Sequence, residues 1–373
     1  MHSISQTILT LPDVVPYLLQ RNLVSPESVV HQELTVIDAS SRNQNFGVLR
    51  PNDQSYLLKQ GIDPQRKKTI ANEAQIYELI HSTMGKAGLT QYLPRFFDYD
   101  SARGILVIEY LSYAQNLHNY CALRGRFSKV LGAAIGDALS SLHQIRWDRQ
   151  SGRIEMLAHG PPGILSIHRP ELEVLRDISG ANVQVIKIIQ RYPEFTELLD
   201  ELRDEWRSEA LIHFDFKWDN CLVTSRTPSG RKTRLKIVDW ELAGIGDPIW
   251  DVASVLNAYL SFWILSIPIT GETPPDRFFE LARFPLEGMQ PAIRSFWNCY
   301  VDRMSFDKHE ADVQLIRAVR YAAARLVQTT FEQMHTATEL IGSVVCSLQL
   351  SLNILRRPKE ASTHLLGIPP ALA

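Results

Sequence analysis

The sequence predicts an α+β fold with a small, β-rich lobe followed by a large, mostly helical one. Three observations carry this expectation. Residues 33–109 read in the order β-β-β-α-β-β. From about Ser112 onward, apolar residues recur at three- and four-residue spacing, as in helices that bury one face. The 373 residues, at ~150 per domain, leave room for two domains or one large two-lobed unit. The expected division is 1–110 and 111–373.

Composition excludes several classes. Hydrophobic residues make up 45% and charged residues 21%, which argues against disorder, collagen and a coiled-coil rod. The 39 basic and 41 acidic side chains give a net charge of −2, which argues against a strongly basic nucleic-acid binder. Cys121, Cys221, Cys299 and Cys346 form no CxxC motif and read as scattered buried thiols of a reducing cytosol. No Lys or Arg precedes Arg21 and no small-residue cleavage site follows an apolar core, so no signal peptide is expected. The longest apolar stretch, Val255–Ile269, contains Asn257 and Pro268 and falls short of the ~18 apolar residues of a spanning helix. It reads as a buried core helix, and the chain as soluble and cytoplasmic, with neither nucleic acid nor membrane as partner.

In order, Leu11–Asn22 is a short amphipathic helix closed by Ser25-Pro26. Glu33–Asp38, Phe46–Arg50 and Ser55–Gln60 are strands, the last rich in β-formers. A helix follows over Lys68–Ser82, with Ile70, Ala74, Tyr77 and Ile80 as its buried stripe. Glu73 lies beside that stripe, and a carboxylate there needs a partner. Phe96–Tyr99 and Gly104–Glu109 form a strand pair. Val130–Ile145 is an amphipathic helix, Gly152–Gly163 a loop, and 169–209 helical with a break at Gly180. Leu211–Thr224 and Leu235–Leu242 flank a polar turn as a β-hairpin. Helices near 288–303, 309–334 and 338–356 close the chain, and Arg357–Ala373, with three prolines, reads as a tail.

The chemistry-bearing segment is Leu211-Ile-His-Phe-Asp-Phe-Lys-Trp-Asp-Asn-Cys-Leu-Val223, followed by Lys236-Ile-Val-Asp-Trp-Glu-Leu-Ala243. Asp215 and Asn220 share one loop between strands, and Asp239 ends the facing strand. Two carboxylates and an amide oxygen at strand ends suit a hard cation such as Mg²⁺, whose remaining ligands are phosphate oxygens and water. Asp247 followed by Pro248 reads as a helix N-cap with Pro at the first helical position, and Asp251 lies in the first turn. Taken alone, Lys59 and Glu73 fit a surface ion pair equally well. Trp218 and Trp240 read either as lining for an acceptor or as buried aromatics. His31, His81, His118 and His143 lack metal-ligand spacing.

His213-x-Asp215-x-Lys217-x-x-Asn220 with a later Asp239 resembles the catalytic loop and metal aspartate of the protein-kinase-like superfamily. Asp239-Trp-Glu and Gly246-Asp-Pro-Ile-Trp-Asp251 resemble its aminoglycoside phosphotransferase and choline kinase branch. The resemblance extends over nearly the whole chain and implies a two-lobed protein-kinase-like fold, with nucleotide phosphates bound by the N-lobe and the acceptor by the C-lobe. It implies ATP and Mg²⁺ as cofactors. Asp215 would orient the acceptor hydroxyl and take its proton, and Lys217 would neutralise the γ-phosphate. Asn220 and Asp239 would hold Mg²⁺, and Lys59, braced by Glu73, would hold the α/β-phosphates. Glu109 and Leu111 fall where the interlobe hinge binds adenine through backbone groups. His213 would pack rather than react.

Two departures stand out. The loop Asp38-Ala-Ser-Ser-Arg-Asn-Gln-Asn-Phe46 has no glycine, leaving backbone N–H groups and the hydroxyls of Ser40 and Ser41 to meet phosphate. Lys217-Trp218 stands where many antibiotic kinases carry His-Pro, which argues against an aminoglycoside acceptor. Pro12-Asp-Val-Val-Pro-Tyr-Leu-Leu19, Ser41-Arg-Asn-Gln-Asn-Phe46 and Lys217-Trp-Asp-Asn220 are similar to the separate kinase of class V lanthipeptide-type maturation. That resemblance implies phosphorylation of Ser/Thr in a ribosomally made precursor peptide, with a partner lyase that eliminates the phosphate. A small-molecule kinase acting on a metabolite or antibiotic hydroxyl is the second expectation. A nucleotide-binding pseudokinase is the third, disfavoured by the intact Lys, Glu, Asp, Asn, Asp set.

Overall fold

Local pattern sets the elements. The computed structural model describes residues 8–370, apart from 32, 41–42, 52, 84–87, 147–158, 225–233 and 269–279. The chain opens with α1 (Leu11–Gln20) and α2 (Pro26–Val30), then β1 (Thr35–Asp38), β2 (Gln44–Leu49), β3 (Tyr56–Gln60) and α3 (Pro64–Thr83). Next come β4 (Phe96–Asp100), β5 (Ile105–Glu109), β6 (Ala114–Asn116), α4 (Leu117–Arg124) and α5 (Lys129–His143). Then follow α6 (Leu172–Asp177), α7 (Gly180–Gln190), α8 (Pro193–Asp204), β7 (Ala210–Ile212), β8 (Cys221–Thr224), β9 (Arg234–Ile237) and β10 (Gly244–Gly246). The last are α9 (Pro248–Leu265), α10 (Gln290–Met304), α11 (Lys308–Gln333), α12 (Gly342–Arg356) and α13 (Pro358–Glu360).

Two compact units result: Met1–Asn116 with Asn220–Ala243, and Leu117–Asp219 with Gly244–Ala373. The units are not divided by the single cut at 110/111 expected from sequence. Strand β6 pairs with β8, and β8 with β9, so the hairpin after the catalytic-loop motif belongs with the β-rich unit.

In the first unit, five antiparallel strands lie in the order β1-β2-β3-β5-β4. Alternate residues Phe46, Val48, Tyr56, Leu58, Ile105 and Val107 share a core with Val14, Tyr17 and Leu18 of α1. Because successive strand side chains point to opposite faces, Lys59 emerges on the face away from α1. The stripe predicted for α3 is observed: Ile70, Ala74, Tyr77 and Ile80 are fully buried. The helix starts four residues before its expected beginning at Lys68.

The second unit is a helical body carrying the two-stranded β10-β7 ribbon. Its central helix, α9, is long and apolar enough to cross a membrane, contrary to the expectation from Val255–Ile269, but most of it is buried as a core helix. The expected tail is also folded in part. Pro358 begins α13, residues 361–365 form a π-turn, and Ala361, Leu366 and Ile368 are buried. Pro358 starts a helix rather than preventing one.

Helices α5 and α10 meet backbone to backbone at Gly132 and Gly136. A Cβ on Gly136 would lie 2.5 Å from the Phe296 carbonyl oxygen. Gly136→Ala should therefore destabilise the protein by about 1–3 kcal/mol through overpacking. Ala is the better helix former by about 1 kcal/mol, so a raised melting temperature would show that the contact yields.

Candidate active site

In the first unit, Lys59 Nζ lies 2.9 Å from both Glu73 carboxylate oxygens and 3.4 Å from Asp239 Oδ1. The pair is deeply buried, with side-chain exposures of 10% for Lys59 and 0% for Glu73, so it is no ordinary surface contact. Burial alone would lower the Lys59 pKa. The Glu73 and Asp239 carboxylates outweigh it and push the pKa up, so Lys59 stays cationic at neutral pH. Asp239 has left-handed backbone, φ 67°, a strained conformation that Asp tolerates better than most residues.

Asn220 is buried, and its carbonyl accepts Val238 N–H at 2.9 Å. That backbone bond sets the residues flanking β8 and β9 side by side. The donor set is one carboxylate and one amide oxygen. Among the described residues there is no cluster of three or more His, Cys, Asp or Glu able to cage a metal. Such a sparse oxygen set fits Mg²⁺, which keeps its waters and shares phosphate oxygens, better than Zn²⁺ or Ca²⁺.

The remaining nucleotide candidates are placed as follows. Glu109 ends β5 opposite Tyr56, and Leu111 follows Tyr110, whose N–H donates to Ser55 O at 3.0 Å. Ser40 Oγ lies 3.1 Å from Asn45 N and 3.3 Å from Asn45 O, so it already closes the glycine-free loop. Ser41 lies outside the described residues.

In the second unit, Lys217 Nζ lies 2.7 Å from Asp215 Oδ2, and Asp215 N–H donates to His213 O. Their loop is held from below. Asp251, fully buried on α9, accepts His213 N–H at 2.6 Å and Phe214 N–H at 3.0 Å. Phe214 has φ 68°, and Trp250 Nε1–H donates to its carbonyl at 3.1 Å. Both backbone groups of this strained residue are thus fixed from α9, one position before Asp215. Asp247 caps α9 by accepting Ile249 N–H and is paired with Arg317 at 2.6 Å.

Asp247 is the N-cap expected from sequence, and Asp251 braces the loop backbone instead of capping the helix. Sequence reading missed the further support of Asp251: His143 Nε2 lies 3.3 Å from it, and Tyr300 OH 2.9 Å from His143 Nδ1. The one available signal was a histidine on the apolar face of α5. Trp218 and Trp240 are both buried, which favours packing over acceptor lining.

Removing the brace should be costly. Asp251→Ala leaves one buried and one half-buried N–H group without their carboxylate acceptor, an expected loss of at least about 1–3 kcal/mol for the buried one, with a matching fall in activity. Urea unfolding and a transfer assay check this, and a variant of unchanged stability and activity would refute the brace.

The model of the phosphotransferase enzyme family matches residues 33–271, well over half the chain, and the protein belongs to that family. It is a phosphotransferase whose acceptor is a hydroxyl group. No curated protein matches its sequence. Among solved structures, the chain is similar to APH(2")-IIa in its streptomycin–ATP ternary complex. Identity is 13%, coverage 93% of this chain and 97% of the other, and the TM-score 0.50. It is also similar to a choline/ethanolamine kinase family protein from Mesorhizobium loti, at 16% identity, 95% and 98% coverage and a TM-score of 0.49. The Streptococcus pneumoniae choline kinase LicA follows, at 15% identity, 91% and 99% coverage and a TM-score of 0.45. At such identities the likeness concerns the fold, and the two-lobed protein-kinase-like class expected from sequence is the one observed.

Proposed function

We propose that the protein transfers the γ-phosphoryl group of ATP to a Ser or Thr hydroxyl of a ribosomally made precursor peptide. Lys59, held by Glu73, binds the α/β-phosphates, and backbone groups of Glu109 and Leu111 bind the base. Asn220 and Asp239 hold Mg²⁺, which supplies charge neutralisation on the phosphate oxygens. Asp215 orients the acceptor hydroxyl and receives its proton. The acceptor O–P bond forms as the bond from phosphorus to the β,γ-bridging oxygen breaks, and ADP leaves. The transition state is loose, so positioning and charge account for most of the rate. Lys217 balances the γ-phosphate charge.

The observation that carries the acceptor class is the 2.7 Å contact between Lys217 and Asp215. A cation beside the base disfavours an acceptor that carries a positive charge close to its reacting hydroxyl and suits the uncharged Ser or Thr side chain. In this reading a partner lyase would eliminate the phosphate.

The second reading, a small-molecule hydroxyl, draws support from the family match and from relatives described with streptomycin or as choline kinases. Incubation with γ-labelled ATP and Mg²⁺ separates the two. The expected result is label on a Ser/Thr peptide library and none on streptomycin or choline. Preferential labelling of either small molecule would replace the peptide reading.

A further inference from the structure

The helix bearing Glu73 is joined to the Asp239 turn by a second side chain. Asn72, its immediate neighbour on α3, donates from Nδ2 to Glu241 O at 2.8 Å and to Ala243 O at 3.1 Å. These carbonyls belong to the 3₁₀ turn Trp240–Leu242 and its closing residue, directly after Asp239. From inside, the turn is held by Ala243 N–H on Trp240 O and by the buried Trp240, whose Nε1–H donates to Ile237 O at 3.0 Å. The ionic contact to Asp239 is looser: Lys59 reaches it at 3.4 Å, against 2.9 Å to Glu73. Lys59 therefore fixes Glu73 closely but leaves the placement of Asp239 to its own turn.

An amide suits this position because its NH₂ group offers two donors to two carbonyl oxygens. A carboxylate there would face both oxygens with like charge. Helix α3 is thus tied to Asp239 by two routes, one ionic through Lys59 and one neutral through Asn72.

We propose that Asn72 is a positioning residue for the metal-binding part of the site. It fixes the Asp239 turn to α3, so that the carboxylate offered to Mg²⁺ and the Lys59–Glu73 pair offered to phosphate keep one geometry. The inference rests on the proposed role of Asp239 in holding Mg²⁺.

The test measures the ATP dissociation constant in EDTA and in Mg²⁺ for wild type, Asn72→Ala, Asn72→Asp and Asn72→Gln. Amide hydrogen exchange of residues 240–243 is followed in nucleotide-free, metal-free protein. In Asn72→Ala the Mg²⁺-dependent gain in affinity should shrink about tenfold, the worth of one to two hydrogen bonds. Affinity in EDTA should stay nearly unchanged, because Lys59 and Glu73 are intact. Exchange at 240–243 should speed up in the apo protein. Asn72→Asp should be worse than Asn72→Ala, and Asn72→Gln, which keeps the amide, should recover part of the gain. Equal loss in EDTA and Mg²⁺ would mark a merely structural role and overturn the proposal. So would an Ala variant with wild-type gain and wild-type exchange. A wild type that gains no affinity from Mg²⁺ would instead remove the role assigned to Asp239, and this inference with it.

Discussion

Asp215→Asn is expected to reduce phosphoryl transfer by about a hundred- to ten-thousandfold, the usual worth of a positioned acid or base. ATP affinity should be nearly unaffected. The substitution is isosteric and retains an oxygen for Lys217, now 2.7 Å away, but the amide cannot accept the proton of the acceptor hydroxyl. Folding should also be preserved. Lys217 is 41% exposed, so losing its charged partner leaves it solvated, and such a pair contributes about 0–1 kcal/mol. The Asp251 brace acts on the backbone of His213 and Phe214 and does not involve the Asp215 carboxylate. Initial rates with an ATP-binding measurement decide the matter. Loss of both activity and ATP affinity would count against Asp215 as the residue that serves the acceptor.

Asp239→Asn should be about as damaging through a different step. The carboxylate is the only formal charge in the proposed Mg²⁺ set, and its removal should lower use of Mg·ATP by about a hundred- to a thousandfold, as for lost electrostatic stabilisers elsewhere. Asn tolerates left-handed backbone as Asp does, so φ 67° need not change and the variant isolates charge from fold. Lys59 keeps Glu73 as its main partner. Removing Asp239 takes away one of the carboxylates that raise the Lys59 pKa, which therefore falls but is still supported by Glu73 and, more weakly, by Glu241. Titrating Mg²⁺ against activity at fixed ATP checks this, and full activity in the variant would refute the assignment.

Both aspartates stood out in the sequence through a resemblance: His213-x-Asp215-x-Lys217-x-x-Asn220 with a later Asp239 falls in one short stretch that is similar to a kinase-like catalytic loop and metal aspartate. Glu73 was legible because a carboxylate beside a buried stripe demands a cation, and Lys59 supplies it. The first five strands showed as alternation or apolar runs, and α3 as a helical stripe. Other features left little trace. Leu211–Thr224 reads as one apolar segment, yet left-handed backbone at Phe214 breaks it, so that β7 pairs with β10 and β8 with β9. Strands of three residues, such as β6 and β10, are too short to show a period. The two-part composition of each unit depends on pairings far apart in the chain. The same holds for the Asn72 bonds, which span 169 and 171 residues, and for the His143–Asp251 contact, which spans 108. The end of the chain was misread because Pro358 was taken as a breaker when it is the first residue of a helix.

In the proposed reaction a γ-phosphoryl group passes from ATP to a hydroxyl, with Asp215 as the receiving base. Mass spectrometry of a labelled acceptor from the peptide or small-molecule panel, after incubation with ATP and Mg²⁺, tests it directly. A gain of ~80 Da, one phosphoryl group, is expected with wild type and none with Asp215→Asn. Equal gain with both proteins would contradict it.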